Sequence, residues 1–265
     1  MNTFDTKRFM QLCKWSVQTY RKEYYKTVMG FTIAFFIFLF IKMNMGSNVY
    51  YKDYIMSNAG YSSIGIMMFI VTIMPSFIFN NMKTKQDRLM YKLIPASLFE
   101  KFLTRYIYVT AFMTVGCVAA FCIADILRNS LAIVTGHGIQ ESTIPYFFTA
   151  VYKGATDFFN NDIREAILTI EFFLFGQSLY LLGGTIFRRN QFIFTSTAII
   201  LGLIFIGWIF SFTNIPISID INKDTIKDFL YFIMGLLPVM TAAIYFLSYF
   251  IFKRMQVVNN KWINL

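Results

Sequence analysis

Six long stretches of apolar residues, separated by polar segments, dominate the chain. Each stretch is continuously apolar and approaches the roughly 20 residues that an α-helix needs to cross a hydrocarbon core of about 30 Å. Because lipid offers no partners for backbone N–H and C=O groups, and because none of the stretches alternates as a barrel strand does, all six are predicted to be helices. The predicted spans are residues 24–41, 60–79, 102–127, 165–187, 191–212 and 229–252.

Composition agrees with this pattern. Apolar residues make up 57% of the 265 residues, and charged residues only 14%. The fold class predicted is therefore an all-α polytopic membrane protein, with one transmembrane domain over residues 1–265. Residues 1–26 are too polar for a cleavable signal, and the apolar run after them lacks a small-residue cleavage site, so the first span is expected to remain as an anchor.

The basic residues are distributed unequally between the polar segments. Of the 24 Lys and Arg residues, 17 precede the first span, follow the sixth, or lie between spans two and three or four and five. The other connections hold 7, together with nine acidic residues. By the positive-inside rule both termini and the 83–105 loop are predicted to be cytoplasmic. Topology and attraction to anionic lipid then account for the net charge of +10, and no nucleic-acid partner is expected.

Residues 4–26 are predicted to form an amphipathic interfacial helix. Apolar or aromatic side chains recur at three- and four-residue steps, with basic and amide side chains on the other face. Such a helix lies in the plane of the membrane surface. Two interpretations stay open, namely an elbow helix that transmits motion into the first span and a plain topogenic anchor.

The 128–164 connection is the longest one and is predicted to be external. Its aromatic segments, such as Tyr146-Phe147-Phe148, suit either a cap over the exit side or ordinary aromatic-belt behaviour, and the second interpretation is favoured. The single histidine, His137, lies here between two glycines with no partner suited to catalysis. It is predicted to be a loop residue without a chemical role.

The search for catalytic chemistry finds little. There is no glycine-rich Walker loop, Ser62 and Ser63 have no histidine on a facing span, and the three cysteines have no zinc-ligand or disulfide spacing. We expect no enzyme activity, metal or cofactor in this chain. One acid, Glu171, falls well inside a predicted span, where a charge is costly, and it is a candidate substrate or proton site.

The 83–105 loop carries more than topology requires. It has six basic and two acidic residues, an apolar pattern at Leu89, Leu93, Leu98 and Phe102, and a break at Pro95-Ala96-Ser97. A loop that serves topology alone needs only charge and a turn. The surplus apolar residues indicate contact with a partner.

Two segments together are similar to a known family. These are Phe4-Asp5-x-Lys7-Arg8-Phe9, leading to Tyr20-Arg21-Lys22, and the loop pattern Arg88-x-x-Tyr91-x-Leu93-x-Pro95-Ala96-Ser97-x-x-Glu100-Lys101-Phe102-x-x-Arg105. They resemble the membrane subunit, or permease, of ATP-binding-cassette (ABC) transporters of the type-2 exporter class, as found in Bacteroidota-like bacteria. The specific likeness covers residues 4–26 and 76–105. Elsewhere it rests on six spans with both termini inside.

The resemblance implies a function. In that family a coupling helix in the first cytoplasmic loop, here within residues 80–101, docks on a separate ATPase subunit, and two permease copies, identical or different, form the pathway. It implies an exporter subunit in the bacterial inner membrane, with the ATPase contact at or near six residues: Asp87, Arg88, Tyr91, Glu100, Lys101 and Arg105. The alternative is an ATP-independent secondary transporter or a membrane scaffold for a sensor partner.

Overall fold

A computed structural model describes residues 4–44, 52–82, 85–135, 141–160, 163–187, 190–212 and 223–254. Every regular element within these ranges is helical. The α-helices are α1 (Thr6–Thr19), α2 (Arg21–Asn44), α3 (Lys52–Ile73), α4 (Lys85–Leu93), α5 (Leu98–Ile107), α6 (Met113–Val134), α7 (Ile144–Asn160), α8 (Ile163–Ile186), α9 (Gln191–Phe212) and α10 (Lys223–Arg254). Short 3₁₀ turns follow α3 at Met74–Phe77 and Asn80–Met82, and a π-helical turn, Tyr108–Phe112, joins α5 to α6.

Six of the helical stretches are long and apolar enough to cross a membrane. They are Arg21–Lys42, Tyr54–Phe77, Leu98–Val134, Ala166–Ile186, Gln191–Ile209 and Tyr231–Arg254. The all-helical fold and the six membrane-length helices predicted from the sequence are thereby confirmed. The third stretch is the longest, at 37 residues. At a rise of 1.5 Å per residue it measures about 55 Å, well beyond a 30 Å hydrocarbon core, so the predicted span 102–127 is only its apolar centre.

The helix predicted at residues 4–26 is divided in two. Asp5 caps α1, its Oδ1 accepting from the Lys7 backbone N–H at 2.8 Å, and the helix ends at Thr19. Tyr20 is a turn residue, and α2 begins at Arg21. The Tyr20 carbonyl accepts a hydrogen bond from the Tyr108 hydroxyl at 3.3 Å, and the two rings lie 6.1 Å apart, which ties the turn to the π-helical turn.

The chain packs as two compact units whose segments interleave along the sequence. The N-terminal unit comprises Asp5–Val71 and Tyr106–Ala166. The C-terminal unit comprises Met1–Phe4, Thr72–Arg105 and Ile167–Leu265. Because α3, α5 and α8 each contribute to both units, the division does not decide the predicted single domain, which stays a prediction.

In the N-terminal unit α2 packs along α6. The contact is close at Gly116, where a Cβ would lie 2.7 Å from the Tyr24 hydroxyl oxygen, and the Phe35 and Phe121 rings meet edge to face at 5.7 Å. Ala120 and Ala124, one and two turns further along, are completely buried. Gly116, Ala120 and Ala124 therefore form a packing surface within the chain.

The predicted external loop is mostly helical. Arg128 lies within α6, and α7 comprises residues 144–160, whereas His137 falls outside the described residues.

The buried Asp125 carboxylate joins α6 to the start of α7. Its oxygens accept hydrogen bonds from the hydroxyls of Ser142 at 2.5 Å and Thr143 at 2.6 Å, and Oδ1 lies 3.1 Å from Arg128 Nη2. Arg128 Nη2 also donates to the Glu141 carbonyl at 2.7 Å. These residues, called the Asp125 cluster below, fix the start of α7.

In the C-terminal unit α8 crosses its neighbours at a glycine pair. A Cβ at Gly184 would lie 2.5 Å from the backbone carbonyl oxygen of Ser76, and Gly183 faces Thr195 of α9 with no room for a side chain. In contrast, the part of α9 around Gly202 and Gly207 has open space beside both glycines, and its apolar side chains are exposed. An apolar helix with so little cover from its own chain suits a lipid environment.

Candidate functional site: the hairpin of α4 and α5

The hairpin consists of α4, the turn at residues 94–97 and α5 as far as Arg105, all in the C-terminal unit. Its turn is fixed by a capping box. The Ser97 backbone N–H donates to Glu100 Oε2 at 2.9 Å, and the Glu100 N–H donates to Ser97 Oγ at 3.2 Å. This reciprocal pair satisfies two backbone donors at the start of α5 and leaves Glu100 completely buried.

Hydrogen bonds between described residues join α4 to α5. The Tyr91 hydroxyl donates to the Lys101 carbonyl oxygen at 2.7 Å, and Lys101 Nζ donates to the Lys92 carbonyl oxygen at 2.9 Å. The second bond places an ammonium group at the C-terminal end of α4, where free carbonyls and the helix dipole favour a positive charge. The two helices are therefore held as one body.

Arg105 anchors this body to the end of the second membrane-length helix. Its Nε and Nη2 atoms both donate to the Ile78 carbonyl oxygen at 3.2 Å, and only 1% of the residue is exposed. Ile78 follows the 3₁₀ turn at Met74–Phe77, where carbonyls lose their helical partners. The guanidinium replaces those partners.

Aromatic contacts attach the hairpin to α10. The Phe102 ring lies 5.6 Å from both Tyr249 and Phe252, and Phe252 in turn stacks on Phe79 at 5.4 Å. Phe99 meets Tyr249 at 5.8 Å. Such ring pairs add about 0.5–1.5 kcal/mol each beyond the area that they bury. The hairpin is thus braced from two directions, by Ile78 and by α10.

The six residues predicted for the ATPase contact divide into two groups. Asp87 is exposed on α4. The other five side chains are buried: Arg88, Tyr91, Glu100, Lys101 and Arg105, none of which is more than 7% exposed. Hydrogen bonds of Tyr91, Glu100, Lys101 and Arg105 end within the hairpin or on Ile78. In this conformation they give the hairpin its shape and are not presented to a partner.

The exposed face of the hairpin is formed by other residues. Leu89, Met90 and Leu93 on α4 are 43%, 72% and 77% exposed, and Leu98 and Phe99 on α5 are exposed as well. The apolar pattern predicted from the sequence includes Leu89, Leu93 and Leu98 but not Met90 and Phe99. The sequence does contain a signal for Met90, because residues 86, 89, 90 and 93 have the i, i+3, i+4, i+7 spacing of one helix face.

Glu171 lies on α8 about one and a half turns beyond Ala166, where the apolar stretch begins. The residue is half-buried, and its Oε2 atom is shielded from solvent with no hydrogen-bond partner among the described residues. Within the same described ranges no group of three or more His, Cys, Asp and Glu side chains is placed to hold a metal ion.

Comparison with known proteins adds no family assignment. No protein-family model, no curated protein and no solved structure matches this chain.

Proposed function

We propose that the chain is the membrane subunit of an ABC exporter in the bacterial cytoplasmic membrane, working as a dimer and driven by a separate ATPase that docks on the hairpin. The observation that carries the proposal is a braced hairpin with an exposed apolar face. Five buried side chains hold its shape, while Leu89, Met90 and Leu93 stay uncovered. An apolar face on a basic, polar loop is expected to be covered by a protein partner.

The connections of the hairpin allow it to transmit a mechanical force to the membrane-length helices. From α5 the backbone continues through the π-helical turn into α6 as one stretch, Leu98–Val134. Arg105 couples the same body to Ile78, at the end of the second membrane-length helix. A force on α4 is therefore carried into two spans, which is how a separate engine drives a conformational change. The basic loops place the hairpin and both termini in the cytoplasm under this proposal.

The structure changes which residues are assigned to the contact. Under the proposal Asp87, Met90 and Leu93 of α4 supply the surface, together with the exposed Phe99 of α5. Arg88, Tyr91, Glu100, Lys101 and Arg105 keep that surface rigid. The resemblance of the loop to type-2 exporter subunits supplies the identity of the partner.

Co-purification tests the proposal. A tagged chain is purified from its native membrane in mild detergent, and mass spectrometry identifies bound subunits. We expect an ABC ATPase at a stoichiometric ratio with the wild type, and at least a tenfold loss of it with Met90→Glu plus Leu93→Glu. Val134→Glu is the matched control, because Val134 is also an exposed apolar residue, at 83%, but lies at the far end of α6. Absence of any ABC ATPase from the wild-type complex would refute the proposal.

One observation favours the alternative, an ATP-independent transporter. Glu171 lies within a membrane-length helix and has a shielded carboxyl oxygen with no hydrogen-bond partner among the described residues, which is the setting in which carboxyls carry protons or bind cations. In proteoliposomes without ATP, a proton gradient would then drive uptake or release, and Glu171→Gln would abolish it. If Glu171→Gln leaves ATP-driven transport intact, the alternative fails.

A further inference from the structure

A groove lies on the N-terminal unit where α2 ends and α3 begins. It has a volume of about 450 Å³ and is lined by Tyr54, Ser57, Asn58, Tyr61 and Ser62. That volume is in the range of small-molecule sites, and every described residue that lines the groove carries a hydroxyl or an amide. No step of the proposed function uses this groove.

The groove presents hydrogen-bond donors. Asn58 Oδ1 accepts from Ser62 Oγ at 3.1 Å and, in a longer bond, from Lys42 Nζ at 3.5 Å. An ammonium group can only donate, so the amide of Asn58 must turn its oxygen toward Lys42. Its two N–H donors then have no partner among the described residues and are available to a ligand, beside the phenols of Tyr54 and Tyr61. One cation with several donors selects an anion that offers several acceptor oxygens.

The face that carries the groove continues toward the middle of the span. Tyr54, Asn58, Tyr61 and Gly65 follow one another at helical spacing, and a Cβ at Gly65 would meet no atom within 4 Å. Beyond Gly65 the same stripe reaches Phe69 and its neighbour Met68, which are 62% and 52% exposed. A polar groove at the start of the span is thus continuous with an open apolar surface along the helix. This arrangement matches the polar headgroup and apolar acyl chain of a lipid.

We infer that this groove binds the phosphate-bearing headgroup of an anionic membrane lipid. Lys42 and the Asn58 amide hold the phosphate, the two tyrosines flank the headgroup, and the acyl chain runs past Gly65. Tyrosine and lysine at the level of the headgroups are suited to this place in a membrane. The groove opens to the surface, so lipid reaches it without a conformational change.

The test uses the purified full chain in detergent, with bound lipids counted by native mass spectrometry. We expect phosphatidylglycerol to bind in preference to phosphatidylcholine, and Lys42→Gln to weaken phosphatidylglycerol binding about fivefold, the effect of one basic residue near a charged lipid. Lys153→Gln is the matched control, since it removes an exposed lysine of the same unit that is not among the residues lining the groove. It is expected to change binding less than twofold.

A second variant tests the acyl track. Gly65→Leu places a side chain in the open space beside Gly65 and is expected to weaken long-chain phosphatidylglycerol more than a short-chain form. Equal binding of phosphatidylcholine, or equal effects of Lys42→Gln and Lys153→Gln, would overturn the inference. Full displacement by soluble glycerol phosphate would show that free phosphate is the ligand and would overturn it also. The assay contains no ATP and no second protein, so its result is independent of the proposed ATPase partner.

Discussion

The hairpin and the Asp125 cluster both hold two helices together at a connection, but they use different polar groups. Each uses buried polar side chains to hold a connection between helices. In the cluster, a carboxylate and a guanidinium lie 3.1 Å apart, both almost fully buried. In the hairpin, Tyr91, Lys101 and Arg105 instead donate to backbone carbonyls. Removing one partner of a buried ion pair leaves the other charge buried without compensation. Removing one donor to a backbone carbonyl, in contrast, breaks only the hydrogen bonds of that donor.

The largest effect is therefore expected in the Asp125 cluster. Asp125→Ala removes the acceptor of two hydroxyls and leaves Arg128 buried without its carboxylate. Breaking a buried ion pair from one side costs about 3–5 kcal/mol. We expect a free energy of unfolding lower by that amount, measured by denaturant titration in detergent. Asp87→Ala, at an exposed carboxylate, serves as the control and is expected to change it by less than about 0.5 kcal/mol. Equal effects of the two variants would contradict the ranking.

Arg105 comes next. Arg105→Ala removes both donors to the Ile78 carbonyl and leaves a cavity beside it. Hydrogen bonds to charged groups contribute about 1.5–3 kcal/mol, so a loss near 2–3 kcal/mol is expected in the same titration. Arg105→Gln keeps one donor and should recover part of the loss. If Arg105→Ala were as stable as the wild type but failed to bind the ATPase, Arg105 would belong to the contact surface after all.

Glu100 is expected to have a smaller effect that depends on the substituting residue. Glu100→Ala removes half of the capping box and should cost about 1 kcal/mol, whereas Glu100→Gln retains the bond to the Ser97 N–H. Thermal unfolding in detergent can compare both with the wild type. An equal loss of stability in the two variants would show that the negative charge of Glu100, and not its hydrogen bond, is what the hairpin needs.

The sequence predicts the helices of this molecule better than its site. A continuous apolar run can be recognised without knowledge of the tertiary structure, so the sequence predicts all six membrane-length helices. The charges and apolar residues of the 83–105 loop mark the hairpin as a candidate site. Which of its residues are buried depends on partners that no local pattern identifies, because Arg105 reaches a carbonyl 27 residues away. The family resemblance implied an ATPase contact at Glu100 and Lys101, and charged residues in short loops are normally exposed, so the burial of both was not expected.

Two local signals did exist. The Ser97-x-x-Glu100 spacing is that of a capping box, which indicates that this glutamate is used within the chain. Asp125 and Arg128, three residues apart at the end of an apolar helix, have the spacing of an intrahelical ion pair. Spacing therefore carries information on pairing even where burial cannot be predicted.

The smallest effect on stability, and the sharpest test of the comparison, is expected on the exposed face of the hairpin. Met90→Ser plus Leu93→Ser changes two side chains that are 72% and 77% exposed, so the free energy of unfolding should fall by less than about 0.5 kcal/mol. Binding of the ATPase should nevertheless weaken by at least tenfold in co-purification, because the contact loses its apolar area. Glu100→Ala should do the opposite: it should lose about 1 kcal/mol of stability and keep the ATPase bound. If the double serine variant still captures the ATPase in full, the exposed face is not the contact, and the hairpin is braced for another purpose.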